Sequence, residues 1–367
     1  MKLLLILILL ITGCTSTDVT VEVTPTSNPT IVPATQKPEI KERKVSMIMS
    51  GDALIHGAVY KDAFISEGHY DFKDMFTNIK DDIISKDLAY YNQETILGCK
   101  GSQPATYPMF NTPIDYGENM VYLGFNLVSL ANNHTLDMGE AGVKCSLDFW
   151  NHHKDVITAG SYLTKEDRDN VKIFEKNDIK FAFLSYTYGA NGIFPPEGKE
   201  YLINFIDKEL IQKDVASVRD KVDIVMVAMH WGSEYIHEPN EYQKDYATFL
   251  EGIGVDLVIG CHPHVIQPIE WINDTLVIYS LGNMISAQET AEKLTGLIVD
   301  LEFIKKDDVT TIENVNHKLT YTYFNNRFKD FKLHYYDEMN DTILNGYKEY
   351  YVKLDNIVNS LNYKNKD

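Results

Sequence analysis

Residues 255–264 read Val255-Asp256-Leu257-Val258-Ile259-Gly260-Cys261-His262-Pro263-His264, an apolar run of β-formers that ends in two histidines around a proline. The whole chain has 11 histidines, so the pair stands out. Where the backbone stays extended past the glycine, residues two apart point to the same side and the imidazoles are aimed together. Pro263 has no N–H for a strand ladder, which puts the pair at a strand end or in the loop beyond it. Two imidazoles at the end of a buried strand can share a metal site. Alone, they fit ordinary loop histidines as well.

The same arrangement recurs along the chain. Val45 to Met49 ends in Ser50-Gly51-Asp52, and Leu88 to Tyr91 runs into Asn92-Gln93-Glu94. Asn126 to Leu130 is followed by Ala131-Asn132-Asn133-His134, and Val222 to Met229 by His230-Trp231-Gly232. Helical spacing marks Phe72 to Asp87, Asp115 to Tyr122 and Tyr242 to Gly252. Continuous apolar strands separated by helices predict an α/β fold with a sheet buried on both faces. Ligands of such sheets bind beyond the carboxyl ends of the strands.

Taken singly, these residues have plainer readings. Asp52 can cap the next helix, Asn133 can be a helix N-cap followed by a surface His134, and Trp231 can be packing. Asp137 and Gly139 predict a turn that starts a helix. Five strand ends rich in metal-ligand types argue for a site. Carboxylate, amide and imidazole donors suit Mn, Fe or Zn. Two such ions about 3.5–4 Å apart stabilise both attacking and leaving oxygens in a displacement, and Glu94 is the carboxylate placed to touch both.

The ordered set of motifs resembles the CapA family of poly-γ-glutamate capsule biosynthesis proteins, related in fold to calcineurin-like metallophosphoesterases. The residues that carry the resemblance are Gly51-Asp52 with His56, Asn92-x-Glu94, Asn132-Asn133-His134 with Asp137 and Gly139, and His230-Trp231-Gly232-x-Glu234-Tyr235. They continue in Gly260-x-His262-Pro263-His264 with Gln267, Pro268 and Glu270, and in Tyr279-Ser280-Leu281-Gly282-Asn283. The resemblance implies a four-layer α/β/β/α sandwich with two divalent ions at the strand ends. Asp52, His56 and His264 would hold one ion, Asn133, His230 and His262 the other, and Glu94 would bridge. His134 takes the place of the histidine that protonates a leaving group. Asn92, Trp231, Glu234 and Tyr235 are expected to contact substrate.

The ends of the chain bear on location. Met1-Lys2 precedes nine apolar residues, Leu3 to Ile11, which as a helix cover about 14 Å, roughly half a hydrocarbon core. This reads as a signal-peptide h-region, and Ile11-Thr12-Gly13-Cys14 resembles the bacterial lipobox, in which the cysteine is acylated. The expected organisation is a lipoprotein signal over 1–14, a Thr/Pro-rich tether over 15–44, the motif-bearing domain over 45–305 and a C-terminal extension over 306–367. The mature protein would then sit at the cell membrane, lipid-anchored on the extracytoplasmic face. A net charge of −19 argues against nucleic acid as a partner and leaves an extracellular anionic polymer or the capsule synthesis machinery. Cys99, Cys145 and Cys261 allow one disulfide at most, and a buried or unpaired role is expected for each. Three functions fit: a two-metal hydrolase, a non-catalytic factor that binds, exports or anchors polymer, and a solute-binding lipoprotein without metal.

Overall fold

The computed structural model describes residue 13 and residues 15–20, 42–361 and 363–364. The signal-peptide and lipobox readings, Cys14 included, lie outside the described residues, as does most of the tether. Strand β1 (Glu42–Ala53) leads into α1 (Gly57–Asp62), the hairpin β2 (Phe64–Ser66) and β3 (His69–Tyr70), then α2 (Lys80–Ile84) and β4 (Leu88–Asn92). There follow α3 (Ile114–Tyr122), β5 (Leu127–Ser129), α4 (Gly139–His152), β6 (Ile157–Ala159), α5 (Lys165–Asp169), β7 (Ile173–Lys176) and β8 (Ile179–Thr187). Next come α6 (Lys208–Val218), β9 (Ile224–His230), α7 (Glu241–Gly252), β10 (Leu257–Cys261), β11 (Ile269–Ile272) and β12 (Thr275–Ile278). The chain closes with β13 (Asn283–Ile285), β14 (Thr295–Lys306), β15 (Val309–Tyr323), β16 (Lys332–Tyr335) and α8 (Tyr347–Val358).

The apolar strands form two sheets. One runs β16-β15-β14-β1-β4-β5-β6, with β13 paired beside the end of β1, and the other runs β11-β12-β10-β9-β8-β7. Neighbours from β1 to β6 in the first sheet are parallel, as are β8, β9, β10 and β12 in the second, and antiparallel strands close the edges.

Strand alternation sends residues to opposite faces, and this builds three cores. Met47 and Met49 of β1 face Phe181, Met226 and Leu257 of the other sheet, while Ile48 turns outward to Phe76, Met120 and Val143. On the far side Val225 and Val227 pack on Ile211, Val215 and Leu250 of α6 and α7. The layers are therefore α/β/β/α, as expected. Among the described residues no helix is long and apolar enough to cross a membrane.

Three local expectations change. The helical spacing over 72–87 resolves into a 3-10 turn at Lys73–Phe76 and the short α2. Between them the Thr77 hydroxyl donates to the Asp74 carbonyl at 2.6 Å, a local bond that competes with a continuous helix. Residues 306–367 are not set apart: β15 pairs along β14, and Leu319, Leu354 and Val358 join the core between the sheets. Cys99 and Cys145 form a disulfide, tying the loop after β4 to α4, so the buried or unpaired role holds for Cys261 and not for them.

Candidate metal centre

The two sheets present the carboxyl ends of their parallel strands to one place. Asp52 lies opposite Asn92 across β1 and β4, and Cys261 lies opposite His230 across β10 and β9. Asp52, Glu94, Asn133, His134, His230, His262 and His264 are all 5% exposed or less. The opening motif reaches this point differently from an extended strand. A Cβ on Gly260 would stand 1.9 Å from the Tyr279 carbonyl oxygen, so only glycine lets the two backbones approach. Beyond Cys261 the chain turns, with φ of +99° at His262 and +56° at His264. The imidazoles converge through two left-handed residues around Pro263, not through alternation along a strand. Non-glycine residues in this region are strained and gather at functional sites.

Two ligand sets share Glu94. Asp52, Glu94 and His264 offer donor atoms within 4.8 Å of one another, and so do Glu94, His230 and His262. Asn133 adds an oxygen to the second set, with Oδ1 2.9 Å from His230 Nε2. Glu94 belongs to both: its Oε1 is 3.5 Å from His264 Nε2 and 3.8 Å from His230 Nε2. Two ligand bonds of about 2.1 Å meeting at a tetrahedral angle hold their donors about 3.4 Å apart, close to these spacings. Both Glu94 oxygens and His262 Nδ1 are buried with no hydrogen-bond partner in the protein. A buried carboxylate left this way is costly, and a cation relieves it. The residues fit divalent metal.

The electrostatics agree. Burial pushes the Glu94 carboxyl well up, His264 pulls against that, and the Asp52 and Glu234 charges add to it. Burial brings His262 down to about 3, helped by His264. Burial also holds His230 well below the usual histidine range, with His262 and His264 adding to the effect. These two imidazoles are thus in the neutral form that ligates metal. At His264 burial opposes the charged form but Glu94 and Asp52 outweigh it, and the group is raised to about 9. Without metal, a proton on His264 supplies the countercharge.

Other residues hold the ligands in place. Asn92 donates from Nδ2 to Asp52 Oδ1 at 2.8 Å and accepts from Ser129 Oγ at 2.7 Å. It is buried, so it orients Asp52 instead of touching substrate as expected. Trp231 is likewise no substrate contact, being fully buried in the core against α7 with Nε1 donating to the Tyr279 carbonyl at 3.0 Å. His56 also departs from its expected role and joins neither ligand set. It stands at the start of α1, four residues past Asp52, with Nδ1 accepting from the Ala287 N–H at 3.2 Å and its ring edge-on to Phe110.

Glu234 and Tyr235 do sit at the site. The Glu234 carboxylate groups with His262 and His264, and the Tyr235 ring is 6.1 Å from that of His264. Two further residues touch the site histidines without having been read as part of the site in the sequence. Asp137, read as part of a turn, places Oδ2 2.7 Å from His134 Nδ1 and also accepts from the Phe110 N–H. Asn283 places Oδ1 2.9 Å from His264 Nδ1. A histidine three residues before an acid, and an asparagine closing the apolar run Leu276 to Leu281, were the available signals.

Residues 46–288 match the family described as bacterial capsule synthesis protein PGA_cap. The PGA biosynthesis protein CapA of Bacillus subtilis (strain 168) is 32% identical over 167 residues, which cover 45% of this chain and 44% of that protein. The capsule biosynthesis protein CapA of Bacillus anthracis is 29% identical over 199 residues, 52% of this chain and 47% of the relative. The matched part of the chain thus spans about half the length of either relative. Among solved structures, a phosphatase of Mycoplasma pneumoniae superimposes with a TM-score of 0.48 at 13% identity, covering 79% of this chain and 97% of that one. All the ligands described above fall inside the family match, which takes in well over half the chain, and the protein belongs to the PGA_cap family of bacterial capsule synthesis proteins.

Proposed function

We propose that the protein is a metal-dependent hydrolase of the cell surface, anchored by lipid on Cys14, that acts in making poly-γ-glutamate capsule or another extracellular polyanion. The observation that carries this reading is Glu94, a fully buried carboxylate with neither oxygen hydrogen-bonded, shared by two histidine-containing ligand sets. Asp52, Glu94, His264, His230 and His262 would hold a pair of divalent ions, Mn, Fe or Zn, which when bound would supply Lewis acidity and a more acidic water.

The protein's own residues do the rest. Asn92 and Asn283 fix the orientation of Asp52 and His264. Asp137 accepts from His134 Nδ1, which fixes the ring's orientation and leaves Nε2 as the nitrogen that exchanges a proton with a leaving group. Burial around Glu94 keeps the reacting volume poor in water, which strengthens each of these interactions. A surface location is supported by the lipobox resemblance and by the Cys99–Cys145 disulfide, a bond that persists in oxidising compartments.

The test is elemental analysis of the protein purified without chelator or affinity nickel, followed by incubation with poly-γ-glutamate. About two equivalents of metal per chain, reduced in His262→Ala, together with shortened polymer, are expected. Stoichiometric retention of polymer at unchanged length would assign the site to holding or exporting it. Absence of metal even after reconstitution would sink the reading.

A further inference from the structure

The mouth of the site carries a cation that the chemistry above does not use. Lys293 holds its Nζ 3.6 Å from the centroid of the Tyr235 ring. Among the described residues this ammonium makes a cation–π contact and no ion pair. Tyr235 is fixed at both ends, its N–H donating to the Pro263 carbonyl at 2.7 Å and its hydroxyl accepting from Gln288 Nε2 at 3.3 Å. The Lys293 backbone is tied as well. Its carbonyl accepts from Asn283 Nδ2 at 2.8 Å, the same asparagine that holds His264. Taken end to end, the ring distances put the ammonium at most about 10 Å from the His264 imidazole.

We infer that Lys293, laid over Tyr235, is the binding residue for a carboxylate of the substrate next to the scissile bond. This rests on the hydrolytic reading above and names what would recognise the substrate. The centre gathers the carboxylates of Asp52, Glu94, Asp137 and Glu234 in a protein of net charge −19. A polyanion approaching it meets repulsion that has to be offset by fixed positive charge at the entrance. In a γ-linked glutamate polymer each unit keeps its α-carboxylate four bonds, about 5 Å, from the amide carbonyl carbon of the chain. A unit with its amide over His264 therefore extends its carboxylate outward by about 5 Å, and a charge-assisted bond of about 2.8 Å covers most of what remains of a span to Lys293 that is at most about 10 Å. The ring under the ammonium restricts the lysine to one side of the mouth, so its charge is placed before substrate arrives.

The experiment is equilibrium binding of a γ-glutamyl pentamer, and of its α-carboxamide analogue, to the full metal-loaded protein. The unmodified protein should prefer the carboxylate form by about 10- to 100-fold, the range of a charge-assisted bond. Lys293→Met should lose that preference at unchanged metal content, and Lys293→Arg should keep most of it. A preference that survives in Lys293→Met, or a native protein with no preference or no binding of the pentamer, overturns the inference. Metal-dependent cleavage of a neutral-tailed aryl phosphodiester by the native protein is measured in parallel. Cleavage there without a carboxylate preference overturns the subsite and leaves the hydrolase standing. A Lys293-dependent preference without any cleavage supports the subsite and overturns the hydrolytic role.

Discussion

Glu94→Gln separates what the ligand cluster costs from what it gains. The change keeps the shape of the side chain and removes a carboxyl that is fully buried with neither oxygen hydrogen-bonded. Because burial pushes this carboxyl well up, the folded protein binds a proton that the unfolded chain has released above the ordinary glutamate range. Its contribution is therefore present at low pH and is lost as pH rises toward the folded value. Without metal, the variant should gain on the native protein as pH rises above the ordinary glutamate range.

With metal the order reverses. Two ions, each at 100 times its dissociation constant, add about 2.7 kcal/mol apiece. An ordered body of roughly 320 residues unfolds with about 0.7 kcal/mol/K of entropy, so each kcal/mol is worth about 1.5 °C and the pair about 8 °C. Glu94→Gln removes the ligand common to both sets, and its gain should fall below about 2 °C. The assay is thermal unfolding after chelation, with and without Mn, ferrous Fe or Zn. The reasoning is refuted if the native protein gains nothing from any of the three, or if Glu94→Gln gains as much as the native protein.

Three other perturbations probe the surroundings. Asp137→Asn should leave metal content unchanged and lower turnover roughly 10- to 100-fold, the scale seen when a partner that orients an active-site histidine is lost; unchanged turnover would remove His134 from proton transfer. Gly260→Ala, whose methyl group would meet the Tyr279 carbonyl at 1.9 Å, should destabilise by about 3 kcal/mol, the upper part of the range for overpacking, as read by urea unfolding. Replacing both Cys99 and Cys145 by serine, 46 residues apart, should cost about 4 kcal/mol on the chain-entropy account without changing metal content, because neither cysteine is a ligand.

Much of this architecture was legible because a strand's burial and its end are local properties. The apolar runs to Met49, Tyr91, Leu130, Met229 and Ile259 predicted strands, and β1, β4, β5, β9 and β10 occupy those places. The polar residues that follow them became the ligand sets, with Glu94 common to both. His56 shows the limit of the same reasoning. A histidine near Asp52 in sequence looked like its co-ligand, but the chain enters α1 there and turns the ring toward Phe110.

The sequence alone thus determined the alternation of strands and helices, the strand-end chemistry and the resemblance that placed them in one family, since each depends on residue type and short spacing. Tertiary structure decided that β1, β4 and β5 belong to one sheet while β9 and β10 belong to the other. It also decided that His262 and His264 meet through left-handed backbone, that Cys99 bonds Cys145, and that Lys293 lies over Tyr235. These depend on which distant surfaces pack together. A local pattern of apolar and polar residues specifies that a face is buried, but not which face it is buried against.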